Sequence, residues 1–137
     1  AVQADATILN SDWIGKFDFV LADAPCSCLG TYRKHPDVFL TRKEGDIAEL
    51  ARTQSAIAQN ALAYLKTGGV MIYSTCTLFK EENDDVVDAL VKSGKAVLER
   101  IDCDNIDGGK YADNEGKIQI LPHAEYDGFY IAKLRKI

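Results

Sequence analysis

Apolar residues recur along this chain with two different spacings. From Phe17 to Ala22 they are nearly consecutive, interrupted only by Asp18, and the run stops at Asp23-Ala24-Pro25. Consecutive apolar positions suit a strand covered on both faces. The polar segment from Cys26 to about Gly45 then reads as a loop. Further on the spacing changes. Ile47, Leu50, Ala51, Gln54, Ile57, Ala58, Ala61, Leu62 and Leu65 fall at three- and four-residue steps, one stripe of a helix that Gly68 and Gly69 stop. Val70 to Ser74 predicts a second buried strand, running into Thr75-Cys76-Thr77. Glu81 to Ser93 reads as another helix, with Glu81, Glu82, Asp84 and Asp85 near its start and Lys92 near its end, as the helix dipole favours. Ala96 to Ile101 predicts a strand, Asp102 to Gly116 a loop rich in Asp, Gly and Asn, and Gly128 to Leu134 a closing strand.

Strand, helix, strand, helix, strand in that order implies an α/β layered sheet with parallel neighbours. Ala1 to Ile14 offers at most one short element, so the first strand lacks the upstream partners that a doubly wound sheet would give it. Together with a first residue that is not methionine, this predicts a truncated domain, residues 1–137 being a single partial unit. An apolar sheet edge and face left open in this way predict a dimer through the truncated sheet, or aggregation.

Composition narrows the class. With 137 residues, 47% of them hydrophobic and 27% charged, the chain is neither disordered nor a repeat array. Its apolar runs are far shorter than the ~20 residues of a membrane-spanning helix, and no leader signals export, which predicts a cytoplasmic protein. Sixteen basic against twenty-one acidic residues give a net charge of -5, which argues against a free-standing nucleic-acid binder and leaves room for a local basic patch. Four cysteines without a leader read as thiols with chemical or packing roles. Only Cys26 and Cys28 are close, across a single residue. A structural zinc site wants two close pairs, so no metal is expected.

The chemistry is expected where ligands bind in open α/β sheets, outside the carboxyl ends of the strands. Asp23-Ala24-Pro25-Cys26 follows the first strand and Ser74-Thr75-Cys76 the second. Parallel strands joined by one right-handed crossover are usually neighbours, about 4.8 Å apart, so topology alone brings Cys26 and Cys76 to one edge. Each thiol also reads as a small hydrophobe in a strand-to-loop corner, and Asp23 as a cap for the turn at Pro25.

With these residues the chain resembles the RNA cytosine-5 methyltransferases, the bacterial small-subunit ribosomal RNA methylases among them. Asp23-Ala24-Pro25-Cys26-Ser27 and Tyr73-Ser74-Thr75-Cys76-Thr77 match the two cysteine motifs of that family. Arg33-Lys34-His35-Pro36-Asp37, Leu65-Lys66-Thr67-Gly68-Gly69, Glu81-Glu82-Asn83 and Asp127-Gly128-Phe129-Tyr130 follow in family order. The resemblance implies a partial Rossmann-like class I methyltransferase fold, the C-terminal half of its sheet, with the last strand antiparallel. It also implies methyl transfer from S-adenosylmethionine to carbon 5 of a cytosine in RNA, 16S ribosomal RNA in particular. Carried over by motif, Cys76 is the nucleophile that adds to carbon 6, and Cys26 assists release. Asp23 lies beside the methyl donor and the cytosine edge. Asp5, within Ala4-Asp5-Ala6, matches an acidic residue that contacts the cofactor's adenine, and reads equally as a surface turn.

Arg33 and His35 fall in the stretch taken as substrate-binding. The basic loop Arg33 to Lys43, with Arg42, Tyr32 and Phe39, reads as phosphate-holding and base-stacking, or as a solvated loop. Cys28 departs from the usual small residue and receives no role. Cys103 reads as structural and His123 as a turn or packing residue. The family's glycine-rich cofactor loop, its ribose-binding acid and its RNA-binding region are absent, so the isolated piece is expected to be inactive. A non-catalytic interaction module, and a thiol redox or metal protein built on Cys26 and Cys28, are the competing readings.

Overall fold

A computed structural model describes residues 1–41, 43–101, 110–112 and 115–137. In chain order the elements are β1 (Phe17–Asp23), α1 (Val38–Thr41), α2 (Glu44–Tyr64), β2 (Leu65–Thr75), α3 (Asp84–Lys92), β3 (Ala96–Leu98), β4 (Lys110–Ala112), β5 (Lys117–Ile120) and β6 (Phe129–Lys136). They build one mixed sheet in the order β1-β2-β6-β5-β4, with β3 also paired to β6. Among the described residues no helix is long and apolar enough to cross a membrane.

The expectation of parallel neighbours holds for β1 and β2, whose register sets Asp23 against Ser74. It fails for the third strand. β3 does not lie beside β2, because β6 is inserted between them, antiparallel to both, with Ala132 opposite Tyr73 and Arg135 opposite Val97. β2 and β3 therefore still run the same way, as a helical crossover requires. The closing strand expected at Gly128–Leu134 is thus interior rather than an edge, and it buries Tyr130, Ala132 and Leu134.

Two further differences concern boundaries. α2 ends at Tyr64, and Leu65 is already extended and paired to Phe17, so the two glycines fall inside β2. Gly68, at φ +80°, carries the chain through the irregularity that separates the Phe17–Leu65 and Phe19–Val70 pairs. Within the expected loop Asp102–Gly116, residues Lys110–Ala112 instead pair with Ile118–Ile120. Cys103 and Arg42 lie outside the described residues.

α2 and α3 both pack on one face of the sheet. Ala58, Leu62, Val86, Val87 and Leu90 meet Met71, Tyr73, Tyr130, Ala132 and Leu134 in a single core. β1 is accordingly covered on one face, not two. Val20 and Ala22 turn inward, while Phe19 and Leu21 on the other face are 57% and 61% exposed. Each such side chain forgoes roughly 1.5–3 kcal/mol of burial. Trp13, from a short 3-10 turn, stacks edge-on against Tyr64 and Phe17 at the rim of this surface.

Candidate active site

The apolar run of β1 ends where Ala24 donates its amide to the Ser74 carbonyl (3.0 Å), so the chains leaving β1 and β2 stay side by side beyond the last paired residues. Cys26 and Cys76 leave the sheet at this edge with their Sγ atoms 3.3 Å apart. Cys26 is buried and Cys76 is partly exposed. Cys28 adds a third sulfur, 4.0 Å from that of Cys26.

What holds the two cysteine loops together is a carboxylate. Glu82 is fully buried, and its Oε1 accepts from the Ser27 amide (2.9 Å) and from Gln54 Nε2 (2.9 Å). Its Oε2 accepts from the hydroxyls of Ser27 (2.6 Å) and Thr77 (2.9 Å). Ser27 follows Cys26 and Thr77 follows Cys76, so one side chain fixes the backbone next to both sulfurs. A buried carboxylate needs this many donors, since burying one without them costs several kcal/mol. The Tyr73 hydroxyl holds the Glu82 carbonyl (2.7 Å), and Asn83 ties the Thr77 carbonyl to Gln119 of β5 (3.1 and 3.0 Å). Glu82 and Asn83 are thus spent on the site, and α3 starts only at Asp84.

Glycine supplies the second constraint. The Gly30 amide donates to the Cys76 carbonyl (2.9 Å), and the Gly128 amide donates to the Gly30 carbonyl (2.8 Å). A Cβ on Gly30 would lie 2.7 Å from the Cys76 carbonyl oxygen and closer still to that of Gly128, so the chain can approach here only without a side chain.

The thiols perturb one another. Their mutual hydrogen bond lowers Cys26 from 9.0 to about 6, against the opposing effect of its burial, and the same contact with burial pushes Cys76 far above the ordinary thiol range. The pair therefore gives up its first proton readily and keeps its second between the sulfurs. Asp23 stands exposed at the end of β1, and its Oδ1 accepts from the Ser74 hydroxyl (2.8 Å).

The remaining residues singled out from sequence lie elsewhere. Asp5 is exposed, and its carboxylate accepts from the amide and hydroxyl of Thr7 (2.9 and 2.6 Å), which holds it below its usual pKa. Arg33 donates to the His123 carbonyl, and Lys34 pairs with Asp127 at 2.7 Å. A small cavity of about 140 Å³ lies between that basic pair and residues 124–127. His35 is exposed, its amide bonded to the Thr31 carbonyl (3.0 Å). Sequence reasoning missed Ser27, Gln54, Thr77 and Glu82 as site residues. The signal available was a hydroxyl directly after each motif cysteine and an acid a few residues beyond.

A family model for 16S rRNA methyltransferase RsmB/F matches residues 1–135. The chain belongs to that family. It is 42% identical over 129 residues to the ribosomal RNA small subunit methyltransferase B of Cronobacter sakazakii, covering 92% of this chain and 28% of the relative. The chain thus spans little more than a quarter of the length of the curated relatives it matches. NSun6 from Pyrococcus horikoshii, solved with SFG, superposes with a TM-score of 0.71 at 37% identity, over 85% of this chain and 29% of that one. A methyltransferase homolog protein from Pyrococcus horikoshii gives a TM-score of 0.70 at 29% identity, over 90% and 40%. The mixed sheet is therefore a partial methyltransferase sheet of the RsmB/F kind, with an antiparallel last strand.

Proposed function

We propose that this chain is the C-terminal part of a catalytic domain that methylates carbon 5 of a cytosine in 16S ribosomal RNA, with S-adenosylmethionine as methyl donor, in the cytoplasm. The observation that carries the reading is the pair of sulfurs 3.3 Å apart at the carboxyl edge of parallel strands, in a chain of this family.

The residues present fit one side of the donor's site. An exposed carboxylate, Asp23, oriented by Ser74 at the strand end, suits a cationic sulfonium and a base amine. The exposed carboxylate of Asp5, whose Oδ1 accepts from Thr7, is taken to meet the amine of the adenine. When bound, S-adenosylmethionine supplies an electrophilic methyl group. The chain's own part is to make carbon 5 nucleophilic. Cys76 hands the proton that the pair shares to the Cys26 sulfur, 3.3 Å away, and adds to carbon 6 as a thiolate. Cys26 passes that proton to solvent, takes the one from carbon 5 after methylation, and the Cys76–carbon bond breaks.

Arg33 and His35 are both exposed and are taken to contact the RNA. Arg33 spends one donor on the His123 carbonyl and keeps others for phosphate. The bare face of β1 is taken to seat the rest of the catalytic domain, or a second copy when the piece is isolated.

The test is methyl incorporation into 16S ribosomal RNA by the full-length polypeptide. Cys76→Ala abolishes it, whereas Cys26→Ala accumulates a protein–RNA adduct that survives denaturing electrophoresis. Unchanged turnover in the Cys76 variant overturns the assignment.

A further inference from the structure

We propose that Cys26, Cys28 and Cys76 form a site for one thiophilic divalent cation of the zinc(II) type, whose binding silences the cysteine pair. The three Sγ atoms lie within 4.8 Å of one another, with Cys26 3.3 Å from Cys76 and 4.0 Å from Cys28. Tetrahedral zinc with Zn–S bonds of about 2.3 Å sets its sulfurs roughly 3.8 Å apart. Each sulfur pair therefore needs to change by about 1 Å or less. The spacing rule for structural zinc does not see this set, because the third thiol comes from the end of the neighbouring strand.

The three sulfurs are held ready by different means. Glu82 fixes the backbone beside Cys26 and Cys76 through Ser27 and Thr77. Cys28 is the one non-glycine residue with positive φ among the described residues, at +61°, and its Sγ turns back to 3.3 Å from the Cys26 carbonyl oxygen. A side chain in the left-handed region is disfavoured, since its Cβ crowds the following carbonyl oxygen. Thr31 holds it there, its amide and hydroxyl both donating to the Cys28 carbonyl (3.0 and 2.8 Å).

A donor set of sulfur alone selects soft and borderline ions over magnesium or calcium. Three protein ligands leave a fourth position open to water, and Cys28 and Cys76 are both partly exposed, which gives the ion its entry. On binding, each S–H bond breaks, its proton goes to solvent, and the freed electron pair forms a sulfur–metal bond. One divalent ion and three thiols yield a complex of charge -1 and three protons, or two protons where the pair has already given one up. With its lone pair committed, Cys76 no longer adds to a cytosine. Binding rests on the three sulfurs alone, whereas inhibition rests on the proposed methyl transfer.

The experiment uses the full-length polypeptide, reduced and stripped of metal. Cobalt(II) is titrated and followed by its thiolate charge-transfer band, then displaced with zinc(II). The expected result is a thiolate–cobalt signal whose affinity falls in Cys28→Ser by more than the roughly 10–100-fold that loss of an outer-shell partner costs. Cys28→Gly relieves the left-handed backbone and is expected to match, which guards against a misfolded serine variant. In parallel, both variants keep metal-free methylation and need more than roughly 100-fold more free zinc for half-inhibition. No thiolate signal in the unmodified chain, or a fall in affinity in the Cys28 variants that stays within the outer-shell range, overturns the site. Cobalt binding that depends on Cys28 in a chain that transfers no methyl group upholds the site and counts against the functional reading.

Discussion

The two cysteine loops and the basic segment Arg33–His35, which begins only a few residues after the first of them in sequence, are held by different physics. The first are locked from inside, with Ser27, Thr77 and Glu82 fully buried and sharing one carboxylate. The second is tethered from outside, where Lys34, 68% exposed, meets Asp127, and Arg33 meets a backbone carbonyl. Buried hydrogen bonds to a charge are expensive to break, because their partners are stranded away from water. Exposed ion pairs are worth about 0–1 kcal/mol. Position in the site is thus set by the interior, and the surface segment stays free to rearrange on a ligand.

The largest effect that would sharpen this contrast is expected from Glu82→Ala. It strands the Ser27 amide, one Gln54 proton and one of the Ser27 and Thr77 hydroxyls, which are 2.7 Å apart and can bond each other, so denaturant unfolding should show a loss of about 3 kcal/mol or more. Glu82→Gln should lose less. A loss below about 1 kcal/mol in the alanine variant would break the idea of a clamp.

Next comes Gly30→Ala, which drives a methyl group against the Cys76 and Gly128 carbonyls. A displacement of about 1 Å at a reacting group costs roughly 10²-fold in rate, the loss of methylation expected here. Wild-type turnover would show that the loop's close approach does not position Cys76.

The thiol pair provides a pH signature. Below about 6 both sulfurs carry protons, and above it the pair has lost one, so methylation should rise with pH through that value. Ultraviolet titration of thiolate in the full-length chain should show the same step, lost in Cys76→Ala because the Cys76 hydrogen bond is its main cause. Stability follows by linkage. The Cys26 contribution is present above the ordinary thiol value of 9.0 and is lost as pH falls through about 6. The Cys76 contribution is present below 9.0 and is lost as pH rises beyond it. The smallest effect is expected from Lys34→Ala, whose unfolding free energy should change by less than about 1 kcal/mol.

The same contrast explains what could be read from sequence. The carboxyl ends of β1 and β2 were legible because an apolar run and its polar stop are local, and a single crossover brings Asp23 opposite Ser74. Glu82 was legible as an acid near a helix start and as part of the Glu81-Glu82-Asn83 landmark, not as a buried carboxylate. Its burial depends on Ser27 and Gln54, far back in the chain. The basic segment read as a free patch because its partners, the His123 carbonyl and Asp127, come from about ninety residues on. For the same reason β4, β5 and the insertion of β6 were not legible, since strand pairing over long separations leaves no periodic trace in either partner alone. β1 read as doubly covered because consecutive apolar residues report the chemistry of both faces, not whether a helix is there to meet them.

The place of β6 has an implication for synthesis. While the polypeptide emerges, β2 has β1 on one side and nothing on the other until residues 129–136 have been made. Among the described residues β3 and β5 both join the rest of the sheet through β6, so neither docks ahead of it. The final strand acts as a keystone, and the nascent protein must keep the flank of Met71 and Tyr73 from strangers until it arrives.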